Sequence, residues 1–114
     1  MAVDKSLISG STTLLILSLL EEKDMYGYEM IDTLKGKSNN NVFELKAGTL
    51  YPLLHSMEEK GWLTVYEQET GGKMRKYYRI TRDGKKQYQA KKKEWKEYSE
   101  AILQVIGGVC FGTA

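Results

Sequence analysis

The 114 residues include only one cysteine, one histidine and one proline. A lone Cys110 cannot close an internal disulfide, so nothing calls for an oxidising compartment, and it is read as a small apolar residue near the tail. A structural zinc site needs several Cys or His ligands, and Cys110 with His55 falls short, so no metal is expected. One proline and 11 glycines leave no Pro/Gly-rich linker. No apolar stretch is long enough to cross a bilayer. The run Leu14 to Leu20, downstream of Lys5, imitates the apolar part of a signal peptide. Ser18 interrupts it, however, and Glu21-Glu22 stand where small residues would mark cleavage. A cytoplasmic protein is therefore expected. Catalytic groupings are missing as well. There is no Cys–His pair in a matching context and no glycine loop to cradle phosphate, and Glu58 and Glu59 project about 100° apart on a helix rather than forming a dyad. Neither an enzyme nor a cofactor is expected.

What is present suits one hydrophobic core. Apolar residues make up 41% of the chain, enough to bury a core and too many for a disordered segment. The net charge of +2 hides a strong asymmetry. Residues 1–69 carry 6 basic and 11 acidic side chains, whereas residues 70–93 carry 10 basic and 1 acidic, a local net of +9. Such a block on a near-neutral chain is the footprint of a polyanion partner; for Lys91, Lys92 and Lys93 alone, a solvated helix face explains it as well.

Periodicity divides the chain. Ser11 or Thr12 can cap a first helix running to about Glu22, apolar on more than one face, so a second protomer is one source of cover for residues such as Leu15. Asp24 can cap a second helix over about 26–35, with Tyr26, Met30, Ile31 and Leu34 on one face and Gly36 with Ser38 to Asn41 ending it. Val42 to Leu45 alternates weakly, as a short strand would. A third helix is expected over 47–60, with Pro52 tolerable only near its start. Leu50, Leu53, Leu54 and Met57 follow the i, i+3, i+4, i+7 pattern toward the core, which leaves Gly48, Tyr51, Pro52, His55 and Glu59 on the opposite face. Two strand-like runs, Trp62 to Tyr66 and Lys76 to Ile80, flank a Gly71-Gly72 turn. Tyr77 and Tyr78 must face opposite sides of the sheet, in an order the sequence leaves open. Thr81 can cap a last helix running to about Ile106. Along it Tyr88, Trp95, Tyr98, Ile102, Val105 and Val109 keep spacings of 7, 3, 4, 3 and 4, the seam of a helix packed along another helix.

Three helices followed by a hairpin is the order of a winged helix-turn-helix. The fold expected is mainly α with a small β-hairpin: a DNA-binding part over residues 1–81, then a long C-terminal dimerisation helix and tail over 82–114. In a helix-turn-helix the later helix enters the major groove. That makes Thr49, Tyr51 and His55 candidates on the third helix, with Lys46 just before it, and Lys73, Arg75 and Lys76 candidates for phosphate at the wing. Thr49 can equally cap the helix, and Tyr51 can equally lie half-buried under the wing. The dimer candidates are Leu15, Tyr88, Trp95, Tyr98, Ile102 and Val105. Two-fold symmetry would bring two Trp95 indoles near the axis, where they either fill the interface or leave a slot for a planar aromatic guest. Glu94, Glu97 and Glu100 flank that seam and would draw a cationic one. A winged helix serving only as a protein–protein dimer module is the competing reading; the basic wing argues against it.

Four segments carry a resemblance: Tyr26-Gly27-Tyr28-Glu29-Met30, Gly48-Thr49-Leu50-Tyr51-Pro52-Leu53-Leu54, Met57-Glu58-Glu59-Lys60-Gly61-Trp62-Leu63 and Arg75-Lys76-Tyr77-Tyr78-Arg79-Ile80-Thr81. In residues, order and spacing the chain resembles the PadR-type transcriptional regulators over about residues 11–106. The resemblance implies a dimeric winged-helix protein that binds a palindromic operator on double-stranded DNA, usually as a repressor, and is released by a small molecule, often a phenolic acid or a drug-like aromatic. A single C-terminal helix is similar to the smaller subfamily, which includes a multidrug-sensing regulator with a Trp matching Trp95. A small aromatic effector is thus the third expected partner, after operator DNA and a second copy of the chain.

Overall fold

The structure is a computed structural model that describes residues 11–37 and 44–107. In chain order the elements are α1 (Thr12–Glu22), β1 (Met25–Tyr26), α2 (Gly27–Lys37), α3 (Ala47–Glu59), β2 (Leu63–Thr70), β3 (Lys73–Ile80) and α4 (Arg82–Val105). The strands form one antiparallel sheet in the order β1-β3-β2. The molecule is a winged helix extended by a long last helix.

Local chemistry explains most boundaries. α3 ends in a Schellman motif: the Gly61 amide donates to the Glu58 carbonyl, the Trp62 amide to the Met57 carbonyl, and Gly61 takes φ +81°, which a side chain would resist. Thr81 caps α4, its Oγ1 accepting from the Gly84 amide at 3.0 Å and donating to the Gly61 carbonyl at 2.7 Å. The hairpin closes through Gly71 and Gly72, at φ +61° and +80°, between the paired residues Thr70 and Lys73. Two successive positive φ values mark a type I′ turn, whose twist matches that of the flanking strands. Pro52 lies in the second turn of α3 and deprives the Gly48 carbonyl of its helical donor.

The core gathers α1, the inner faces of α2 and α3, and one face of the sheet. Ile16, Leu17, Met30, Leu50 and Leu54 are completely buried. Much of the apolar surface of α1 is covered within the protomer: Leu19 and Leu20 are also buried, Leu15 packs on the core half-buried, and Leu14 is half-buried.

Three expectations change. Asp24 does not cap α2; its carboxylate bonds the side chains of Tyr66 and Arg79 instead. Tyr26 is not on the apolar face of α2, because Met25 and Tyr26 pair with Tyr78 and Tyr77 as a third strand. Of the strand expected over 42–45, Glu44 and Leu45 are irregular, while Val42 and Phe43 lie outside the described residues, as do Ser38 to Asn41, Val109 and Cys110.

Candidate DNA-binding interface

α3 presents two faces for one physical reason: its leucines anchor one side in the core, so the other must face solvent. Gly48, Thr49, Tyr51, Pro52, His55 and Glu59 are all exposed. Lys46 occupies the N-cap position without a side-chain cap bond. Its carbonyl accepts from the amides of both Thr49 and Leu50, so the Thr49 amide is engaged inside the helix, although Thr49 itself stays exposed in the first turn. His55 lies 3.8 Å from Glu59 one turn on, with both side chains exposed.

Tyr51 is 39% exposed. Its ring covers Gly27, where any Cβ would overlap the phenol. Burial, with Tyr28 nearby, raises the Tyr51 hydroxyl above the ordinary tyrosine value. Tyr51 therefore ties the outer face of α3 to the start of α2. Tyr28, 58% exposed, adds an aromatic edge to the same corner.

The pairing register divides the wing cations. Lys73, Arg75, Tyr77 and Arg79 share one face of β3; Met74, Lys76, Tyr78 and Ile80 share the other, which runs into the core. Tyr78 is the inward tyrosine, and burial raises its hydroxyl pKa. Lys73 is exposed at the turn, Lys76 is exposed opposite Glu67, and Arg75 is half-buried over the Tyr26 ring, its Cζ 4.4 Å from the centroid. Tyr26, Tyr66, Arg79 and Asp24 complete this outer face. Sequence reasoning missed them, although the alternation Arg75, Tyr77, Arg79 in β3 was a visible signal.

α4 changes character along its length. Its first half docks on the winged core through buried Gly84 and half-buried Tyr88. Lys91 folds over the Trp62 ring at 5.5 Å. Beyond this, Trp95, Tyr98, Ile102 and Val105 are exposed, at 46%, 61%, 41% and 86%, and the Trp95 and Tyr98 rings touch with centroids 6.3 Å apart. A shallow hollow of about 470 Å³ beside Trp95 is lined by Gln89, Lys92, Lys93, Lys96 and Ser99. None of the three seam glutamates lines it.

The model of the transcriptional regulator PadR-like family matches residues 16–90, from α1 through the wing into α4. The chain belongs to the PadR-like family of transcriptional regulators. A Lysinibacillus sphaericus protein named Uncharacterized protein X is 40% identical over 109 residues, covering 94% of this chain and 98% of that one. Transcriptional regulator YqjI of Escherichia coli (strain K12) is 31% identical over 105 residues, which are 92% of this chain and 47% of that longer protein. A solved transcriptional regulator from Clostridium thermocellum superposes with a TM-score of 0.82 at 34% identity, covering 90% of this chain and 96% of the other. A PadR family transcription regulator from Clostridium difficile gives 0.71 at 35%, covering 86% and 99%. A PadR-like regulator binds DNA and is not an enzyme. No helix among the described residues is long and apolar enough to cross a membrane.

Proposed function

We propose that this PadR-like chain is a cytoplasmic repressor that binds a palindromic operator as a homodimer. Residues through 81 contact DNA, and residues 82–114 hold the dimer together. The observation that carries this reading is the row Trp95, Tyr98, Ile102 and Val105, exposed on a helix whose first half is already docked. A row of large apolar side chains at seam spacing gains by meeting its own copy across a two-fold axis. The dimer then presents two α3 helices to successive major grooves, with Thr49 and His55 toward DNA and Tyr51 bracing them, and with Lys46, Lys73, Arg75 and Lys76 on the flanking backbone.

A duplex spanning the promoter of its own gene tests the reading by gel shift, with oligomeric state followed by sedimentation. Ile102→Asp places an unpaired charge in the seam, a penalty of about 3–5 kcal/mol for a buried site. It should give monomers that no longer hold the operator. A normal dimer in this variant would refute the seam.

Effector release follows from the same geometry. A planar aromatic beside Trp95 would spread the two α4 helices and alter the spacing of the recognition helices. The lysines lining the hollow favour an aromatic anion, such as a phenolic acid, over the cation that Glu94, Glu97 and Glu100 would attract. Tryptophan quenching by phenolic acids, abolished in Trp95→Ala, supports the sensor; no saturable change with either anions or cations leaves Trp95 as interface packing. Trp62 emits as well, so the variant is needed to assign the signal.

A further inference from the structure

The outer face of the sheet carries a continuous series of contacts that the hydrophobic core does not require. Asp24 Oδ2 accepts from the Tyr66 hydroxyl at 2.7 Å and from Arg79 Nε at 3.0 Å. Arg79 lies over the Tyr66 ring at 5.0 Å, and Tyr66 stacks on Tyr77 with centroids 5.6 Å apart and planes 15° apart. Tyr77 meets Tyr26 edge-on at 5.5 Å, and its hydroxyl shares a 2.7 Å hydrogen bond with Thr70 Oγ1 at the wing turn. Tyr26 ends the series beneath Arg75, whose Nε points to the Thr70 carbonyl at 3.4 Å.

Both ends of this series are held by the segment that joins α1 to α2. Asp24 anchors one end and Tyr26 the other, so the linker leading into the helix-turn-helix grips the wing. Tyr26 reaches Arg75 only because β1 pairs it with Tyr77.

We propose that Tyr26 is a positioning residue for DNA binding: its ring holds the Arg75 guanidinium in the orientation that takes a backbone phosphate. This rests on the reading that the wing grips DNA. The geometry is compatible with both contacts at once. A guanidinium that lies flat on a ring keeps its N–H donors in its own plane, so such stacking leaves the Nη hydrogens available to a phosphate. A free arginine side chain must be ordered when it binds; one held on a ring beforehand loses less freedom.

The test separates electronic positioning from packing. Tyr26 is replaced by phenylalanine and then by mono-, di- and trifluorinated phenylalanine, which keep nearly the same shape while draining the ring of electron density. Affinity for a mixed-sequence duplex of about 30 base pairs is measured at several salt concentrations in the full chain. Far-UV circular dichroism checks that each variant is folded. Affinity should fall stepwise, by roughly fivefold across the series, because the attraction of a cation to a ring follows the ring's electron density. In an Arg75→Ala background the trend should vanish. A flat series, when Arg75→Ala alone still flattens the salt slope by about 0.9, overturns the positioning role and leaves the wing contact standing. A slope and affinity unchanged in Arg75→Ala overturn the wing contact and the proposal together.

Discussion

Gly84→Ala offers a sharp test of how α4 is seated. Gly84 lies in the first turn of α4, is buried, and has no unusual φ. Its need for glycine comes from a neighbour. A Cβ at this position would overlap the Trp62 carbonyl oxygen and stand 2.7 Å from Ile80 Cγ1 and 3.1 Å from the Trp62 carbonyl carbon. The main obstruction is backbone, and it is pinned. The Trp62 carbonyl accepts from the Thr81 amide at 2.9 Å, and Thr81 Oγ1 bridges the Gly84 amide and the Gly61 carbonyl. Relief requires α4 to move away from the α3–β2 joint. Overpacking of this kind costs about 1–3 kcal/mol, and disturbing the Thr81 cap adds about 1 kcal/mol. Alanine's better helix propensity and reduced unfolded-state freedom return about 1 kcal/mol. The net expectation is a loss of about 1–3 kcal/mol, or roughly 5–20 °C in Tm for a domain near 100 residues. Thermal and urea unfolding at matched protomer concentration measure it, since dimer formation would make Tm depend on concentration. Gly84→Ala as stable as the parent would refute the close approach of α4 to Trp62.

Three further perturbations probe other parts of the molecule. Gly27→Ala should displace Tyr51, a side chain that can swing, so it should weaken DNA binding more than stability; Tyr51→Ala added to it should recover most of any stability lost, which urea unfolding checks. Lys73→Ala with Arg75→Ala should flatten the slope of log K against log salt by up to about two units, at about 0.9 per phosphate, and an unchanged slope would remove the wing from the interface. The hydrogen bond to Asp24, ahead of partial burial, raises the Tyr66 pKa. A folded-state pKa above the unfolded value gives stability that is present below the ordinary tyrosine pKa and lost as pH rises through the folded one. The parent should therefore lose stability above about pH 10, and Tyr66→Phe should lose less over that window, by urea unfolding against pH.

Much of this architecture is legible locally. The Thr81 cap, the Gly61 stop and the Gly71-Gly72 turn each depend on residues within five positions of one another, so residue type announces them. The leucine spacing of α3 likewise announces which side is anchored in the core and which is left to solvent. The distribution of charge along the chain located the cationic block, and the seam spacing of α4 is written in the order of its apolar residues.

Only the tertiary structure decided the rest. β1 is two residues long, too short for any alternation to appear, and exists because β3 offers Met25 and Tyr26 a ladder. That pairing moved Tyr26 off α2, turned Asp24 from a helix cap into the anchor of Tyr66 and Arg79, and brought Tyr26 under Arg75. Strand alternation states that Tyr77 and Tyr78 oppose each other, but which one turns inward depends on the side of the sheet that the helices cover. The wing cations look equivalent in sequence, yet the same alternation puts Lys73 and Arg75 on one face and Lys76 on the other. The seam of α4 reads as uniform, yet its Tyr88 end rests on its own core while Trp95 and the residues beyond it remain exposed. Spacing within one chain records that a face is apolar; what covers that face depends on where the other elements stop.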